Sequence, residues 1–239
     1  MKFKINNKIF EKFFGLNIGV VFTKDTNNKG ESQEINDLLR EAESKVISKF
    51  SQFESPSLHP NIIPWRKAYK KFGSDPHHYH CSSEALVRRI LKGNKIRHIN
   101  KLVDLYNYIS LKYVLPLGGE DLDKIKGDLI LDYAKGDEQF IRLGGIENEP
   151  PLAGEVVYKD EEGVVCRRWN WREAERTKLT EETKDAVIVI EGLSPISRKI
   201  VESATQELTN LIKKYCNGKV SWQILNQGNP EIEILCQKF

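Results

Sequence analysis

The chain has 239 residues, 39% of them hydrophobic and 30% charged, with a formal net charge of +3. That length buries a substantial core, as one large domain or two small ones, and the total charge selects no partner. No apolar run approaches the roughly 18 residues a membrane-spanning helix needs, the first ten residues lack the apolar core of a signal peptide, and Cys81, Cys166, Cys216 and Cys236 show no CxxC spacing, so a reduced, cytoplasmic protein is expected.

In chain order, FKI and IGVVF (18–22) read as strands, the second short, apolar and β-branched. TKDTNNKGES is a polar loop with turn residues at Asn27, Asn28 and Gly30. Over 34–50, Ile35, Leu38, Leu39, Ala42, Val46, Ile47 and Phe50 recur at helical spacing, which predicts an amphipathic helix. QFESPSLHPNIIP is extended and bounded by proline. A helix starts near Pro64, with Trp65, Ala68 and Tyr69 on one side and Arg66, Lys67 and Lys70 on the other. FGSDPHHYHCSS is a loop in which Ser82 or Ser83 is expected to cap the helix EALVRRILKG, which Gly93 ends. INKLVDLYNYISLKY is a further helix capped by Asn100. Leu102, Val103, Tyr106, Ile109 and Tyr113 form its buried stripe, with Asp104 and Asn107 beside it. PLGGED (116–121) reads as a turn where backbone approaches something closely, with Asp121 capping LDKI.

LILDYA, QFIRLG, GEVVYKD, GVVCRRWNW and AVIVIEGL then read as short strands. Ser194 is expected to cap the next helix with Pro195 in its first position; Ile196, Ile200, Ala204, Leu208, Leu211, Ile212 and Tyr215 form its apolar face. KVSWQIL and EIEIL close the chain as strands. Helices first and a run of strands after predict an α+β fold in a single domain, 1–239.

Charge is unevenly spread. Residues 59–101 hold ten Lys or Arg against Asp75 and Glu84, a local +8 that leaves −5 for the rest of the chain. Such a block suits phosphates, and it equally suits a solvated pair of helices with no partner. The stretch VCRRWNWREAERTKLT (165–180) carries the densest chemistry. Read as extended, it sets Arg168, Asn170 and Arg172 on one face and Trp169, Trp171 and Glu173 on the other. Guanidiniums and an amide suit carbonyl and phosphate oxygens, and either tryptophan suits stacking on a base. Glu173, Glu175 and Thr177 follow at alternate positions. The same pattern fits a sheet edge whose tryptophans are core and whose arginines pair with Glu173 and Glu175. HHYHC (77–81) crowds its donors into one loop, which rarely encloses a tetrahedral metal. No nucleotide-binding or serine-nucleophile motif occurs, so neither metal nor cofactor is expected.

HPNIIPWRKAYKKFG, EALVRRILKG, INKLVDLYNYISLKY, LPLGGEDLD and CRRWNWREAERTKLTEETKDAVIVIEGL, in this order, resemble the editing domain of the bacterial phenylalanyl-tRNA synthetase beta subunit, and more closely its free-standing versions. The resemblance spans about 59–212, a core on which 1–58 and 213–239 are expected to pack. It implies three layers: two antiparallel or mixed β-sheets with helices on one side. It also implies a metal-free deacylation, hydrolysis of the ester joining a wrong amino acid to the terminal adenosine of a tRNA. Water is positioned beside the ester with help from the free ribose hydroxyl, and donors stabilise the oxyanion. The logic is a second sieve for what one synthetase pocket does not separate.

By position, the resemblance implies that Glu175 recognises the amino-acid side chain and that Asp104 and Asn107 border the same pocket. Gly118 stands where the synthetase domain has a histidine. Residues 168–172 replace a glycine-rich stretch, so Trp169 and Trp171 are expected to shrink the pocket in favour of a smaller amino acid. The expected function is an aminoacyl-tRNA deacylase acting in trans. Glu175, Arg172 and Asn170 are its expected catalytic residues; Arg168, Trp169, Trp171, Thr177, Asp104, Asn107 and Gly118 bind substrate; Arg66, Lys67, Lys70, Lys71, Arg88 and Arg89 bind tRNA backbone. The runner-up is a tRNA- or protein-binding module without catalysis, and a hydrolase of a small aminoacyl compound is a third reading.

Overall fold

Along strand β2 (Asn17–Lys24) and strand β8 (Ala186–Gly192), successive side chains point to opposite faces, as the pleat requires. Ile18, Val20, Phe22, Val187 and Val189 join one core, while Val21, Ala186, Ile188 and Ile190 join another. A computed structural model that describes residues 1–234 shows the layers this alternation builds. With β3 (Leu117–Asp121) and β9 (Lys219–Leu225), the two strands form an antiparallel sheet in the order β3-β8-β2-β9.

One face of that sheet carries helices α2 (Gln33–Phe50), α4 (Ser82–Leu91), α5 (Lys101–Tyr113) and α6 (Arg198–Cys216), packed through Leu39, Val46, Leu105, Ile109, Leu208 and Ile212. The helix α6 crosses β2 so closely that a Cβ on Gly19 would lie 1.9 Å from Thr205 Oγ1. The other face packs on a second sheet of β10 (Glu231–Glu233), β1 (Lys2–Ile5), β4 (Leu129–Tyr133), β5 (Val156–Lys159), β6 (Val164–Arg167) and β7 (Arg172–Glu173), in that order. Only β1 and β4 run parallel within it. Phe3, Leu129, Leu131, Val156 and Val165 fill the space between the sheets. Two short helices close it, α1 (Asn7–Lys12) through Ile9 and Phe10 and α3 (Ile63–Lys71) through Trp65 and Tyr69. Each large apolar side chain buried there contributes about 1.5–3 kcal/mol. The molecule is therefore α+β in three layers, two sheets with the larger helices on one side.

Local departures from expectation have identifiable causes. PLGGED is the edge strand β3 and not a turn, because Gly118 and Gly119 find partners in Val189 and Ile188. The α4 cap position is Cys81 without a side-chain bond, since the Ser82 hydroxyl donates instead to the Leu117 carbonyl at 3.1 Å. The helix α6 begins at Arg198, after Pro195, because Ser197 supplies the cap oxygen for Ile200 N–H. QFIRLG makes only isolated bridges, Ile141 to Asn148 and Arg142 to Ala174. The short helix α1, capped by Asn6, has no counterpart in the sequence reading. Leu235, the last residue of the expected EIEIL strand, lies outside the described residues.

Candidate functional site

Cys166 pairs with Glu173 and Arg167 with Arg172, so 168–171 is a four-residue turn between β6 and β7. This corrects the alternating strand expected there. Arg168 and Trp169 have φ of +47° and +68°, a region that costs an L residue roughly 1–2 kcal/mol. Burial offsets that cost. Trp169 is fully buried, edge-on to Trp65 at 5.1 Å and to Phe13 at 4.8 Å, and such aromatic contacts add to the area they bury. The turn backbone is also held from outside: Trp169 N–H donates to the Val156 carbonyl at 2.6 Å, and the Asn170 carbonyl accepts from Ser82 N–H at 3.0 Å.

The turn closes one side of a cavity of about 350 Å³ between the open edges of the two sheets. Strands β3 and β8 form the facing wall, and α4 and α5 contribute Ser82, Leu86, Arg89, Tyr106 and Asn107. Glu191 enters because it shares the parity of Val187 and Val189 on β8. It is wholly buried. Its Oε1 accepts from the Tyr158 hydroxyl at 2.5 Å and from Trp169 Nε1 at 2.7 Å, and its Oε2 accepts from Asn170 Nδ2 at 2.6 Å. Asn170 is oriented in turn by the Tyr69 hydroxyl, which donates to its Oδ1 at 2.9 Å. Burial pushes the Glu191 carboxyl up to about 7 although all three donors favour its ionised form.

Glu120 of β3 stands opposite Val187 in register, four residues from Glu191 along β8. Glu173 of β7 meets it from the other sheet, and the two carboxyls hydrogen-bond to each other. Burial, and then the charge of Glu173, hold the Glu120 carboxyl well above its ordinary value; burial also raises Glu173. Glu120 Oε2 and Glu173 Oε2 have no hydrogen-bond partner among the described residues, and a proton held between the two carboxyls would satisfy both. The cavity is thus lined by the acidic Glu120, Glu173 and Glu191 and by apolar Leu129, Val187 and Val189, with Arg89 and Arg172 as its only lining cations among the described residues.

Of the residues expected in the pocket, Asn170, Arg172, Trp169, Trp171, Asn107 and Gly118 line the cavity. Arg172 is exposed, and its guanidinium lies 5.2 Å from the Trp171 ring. Asn107 is 8% exposed and lines the cavity from α5. Four others do not line it. Glu175 accepts from Gly144 N–H at 2.8 Å and from Lys178 Nζ, beyond the cavity wall. The turn directs Arg168 away, where it donates to Ser74 Oγ at 2.8 Å and lies over the Tyr79 ring at 3.7 Å. Asp104 accepts from His98 at 2.5 Å and from Ile99 N–H at 3.1 Å. Thr177 is buried beside Glu120.

The six basic residues also divide. Arg66 and Arg88 both donate to the buried Glu84, at 2.9 Å and 2.8 Å; the Arg66 bond holds α3 to α4, and the Arg88 bond lies within α4. Lys67, Lys70 and Lys71 are exposed, and Arg89 stands at the cavity rim. Sequence reasoning missed Glu191 and Glu120. The available signal was a glutamate on the inward parity of an apolar strand in AVIVIEGL.

A family model for the B3/4 domain matches residues 64–217. The phenylalanine–tRNA ligase beta subunit of Rickettsia conorii is 24% identical over 212 residues, covering 85% of this chain and 26% of that protein. That of Bartonella quintana is 28% identical over 267 aligned positions, covering 97% of this chain and 33% of that protein. The chain therefore spans about a third or less of the length of these relatives. Among solved structures, an N-terminal fragment of the phenylalanyl-tRNA synthetase beta subunit from Pyrococcus horikoshii is 15% identical with a TM-score of 0.46, covering 91% of this chain and 49% of that one.

Proposed function

The chain belongs to the B3/4 domain family and is a relative of the phenylalanine–tRNA ligase beta subunit, and from that premise we propose that it hydrolyses the ester of a mischarged aminoacyl-tRNA, acting in trans. The observation that carries this reading is the polarity of the cavity, cationic at the rim and acidic inside. An aminoacyl ester on a tRNA end has the complementary polarity, an ammonium on the amino acid and phosphates on the nucleotide side.

In this reading the Arg89 guanidinium meets the terminal phosphates, and exposed Lys67, Lys70 and Lys71 extend the contact along the backbone. The α-ammonium rests on the Glu120–Glu173 pair, which keeps one negative charge. Arg172 and the Asn107 amide donate to the carbonyl oxygen as it gains charge. Water held beside the free ribose hydroxyl attacks the carbonyl carbon, the ester C–O bond breaks, and the departing ribose oxygen takes the water's proton. Asn170 acts at one remove by fixing Glu191.

The test is loss of the aminoacyl ester from a panel of mischarged tRNAs, with Arg172→Ala and Asn107→Ala alongside. Rapid loss for one or two pairs, slowed at least about 100-fold in Arg172→Ala as for a lost oxyanion donor, is the expected result. A second reading, a tRNA-binding module without catalysis, is favoured by the position of Glu175 outside the cavity. Binding of uncharged tRNA with no turnover on any ester would establish it in place of the first.

A further inference from the structure

A second cavity, of about 340 Å³, adjoins the first and shares Tyr106, Gly119 and Glu173 with it as a common wall. Beyond that wall its apolar lining is Val103 and Leu179, both buried, with Ile99 and Leu143, which are 56% and 42% exposed. Hydrogen bonds hold these residues in place. Asn100, the cap of α5, donates to the Leu179 carbonyl at 3.1 Å and accepts from Val103 N–H at 3.0 Å, which ties the two buried residues together. Leu143 N–H donates to the Glu173 carbonyl at 2.9 Å, which sets Leu143 beside the common wall. Ile99 N–H donates to Asp104 at 3.1 Å.

The common wall is the polar step between the two cavities. Burial first, and then the charges of Glu173 and Glu120, hold the Tyr106 hydroxyl well above its ordinary value, so it stays a protonated donor. A molecule that fills both cavities is therefore polar where it crosses this wall and apolar beyond it. It carries no phosphate there. Lys178, the only cation lining the second cavity among the described residues, is already paired with Glu175, and Glu181 adds a negative charge. An uncharged group that takes apolar area out of water is what Ile99 and Leu143 favour.

In the end of an aminoacyl-tRNA, the ester joins the amino acid to a ribose, and the base leaves the same ribose on another side. With the amino acid in the first cavity and the ribose at the common wall, the base falls in the second. We propose that the second cavity holds the terminal nucleobase of the aminoacyl-tRNA, with Ile99 and Leu143 as its apolar cover and Tyr106 and Glu173 at the ribose. This inference rests on the deacylase reading, which puts the amino acid in the first cavity, and adds where the nucleoside lies. Single exposed aliphatic side chains are ordinary on a protein surface; two that line one cleft beside a candidate substrate cavity mark a place where a ligand is covered.

The probe is a stable amide, alanyl-3′-amino-3′-deoxyadenosine, titrated calorimetrically beside its counterpart that lacks the base. Removal of the base is expected to weaken binding to the parent protein at least about tenfold. In Ile99→Ser and Leu143→Ser that ratio is expected to fall towards one. Both positions are partly exposed, and a melting curve confirms that each variant folds. A ratio of one in the parent, or no binding of either compound, overturns the inference. Loss of the ratio in Trp171→Ala, with the ratio kept in both serine variants, places the base on the Trp171 ring and also overturns it. A tyrosyl amide bound more tightly than the alanyl amide, with the gain removed by Leu143→Ser, gives the cavity to the amino-acid side chain and overturns it too. Turnover of mischarged tRNA is read separately. Turnover without a base effect keeps the deacylase reading and removes this site; a base effect without turnover supports the site and removes the deacylase reading.

Discussion

Gly118 and Glu173 compete for one space: a Cβ on residue 118 would lie 2.6 Å from Glu173 Oε1. The resemblance gives this position to a histidine in the synthetase domain, and here the carboxylate of a neighbouring strand fills it. Gly118→Ala must therefore displace Glu173 and loosen its bond to Glu120. A cost of about 1–3 kcal/mol is expected by overpacking, with deacylation reduced. Because both changes act on one contact, Gly118→Ala in a Glu173→Ala background is expected to cost less than in the parent. Urea denaturation of the two single variants and the double variant measures that coupling; strict additivity would mean the two positions do not compete.

Stability should carry the signature of Glu191. Its folded carboxyl titrates at about 7, against an ordinary value of 4.5. Between those values the folded chain holds a proton that the unfolded chain has released. Stability from this group is therefore complete below about pH 4.5 and is lost as pH rises to about 7, a span worth about 3 kcal/mol. Glu191→Gln is expected to flatten this part of the pH profile, and denaturation midpoints measured from pH 5 to 8 read it directly.

The basic segment separates into structural and exposed cations. Glu84 is fully buried and shared by Arg66 and Arg88. Glu84→Ala strands two guanidiniums and is expected to cost about 3–5 kcal/mol, with Arg66→Ala also lowering the melting temperature. Lys67→Ala and Lys70→Ala are expected to leave stability within about 0.5 kcal/mol. Each should reduce the salt slope of tRNA binding by about 0.7–0.9. Thermal melts beside binding isotherms at several salt concentrations distinguish the two groups.

The layers were legible because their signals are repetitive. The continuous apolar, β-branched runs IGVVF and AVIVI, and the apolar stripe of the 101–113 helix, extend over several residues, so a local irregularity does not erase them. The turn at 168–171 was illegible for the opposite reason. No local preference places Arg168 and Trp169 in the left-handed region; the burial of Trp169 against Trp65 and Phe13 imposes it. The candidate site inherited the error, since face assignments along an assumed strand put Arg168 with Arg172. Glu84 was read as an acid in a basic segment because its burial depends on how α3 and α4 pack, which neither helix encodes alone. Pro195 pointed to a helix start, but the cap oxygen belongs to Ser197.

The two tryptophans of the turn should respond differently to truncation. Trp169 belongs to the core between the sheets, and its indole N–H also donates to Glu191. Trp169→Ala removes both and is expected to cost about 3–5 kcal/mol. Trp171 is partly exposed, contacts Tyr79 edge-on at 4.9 Å and forms part of the cavity lining. Its truncation leaves the core intact, so Trp171→Ala is expected to lower stability by less than about 2 kcal/mol and to widen the cavity towards solvent. The sequence reading gave both tryptophans the same role, shrinking the pocket. The structure separates them: Trp169 holds the wall and its carboxylate, whereas Trp171 alone can change the size of the opening without unfolding the wall. Substrate range is therefore expected to broaden in Trp171→Ala, with larger esters gaining relative to smaller ones. A competition assay with two aminoacyl-tRNAs, run beside a melting curve for each variant, checks this; unchanged relative rates in a folded Trp171→Ala would exclude the rim as a determinant of size.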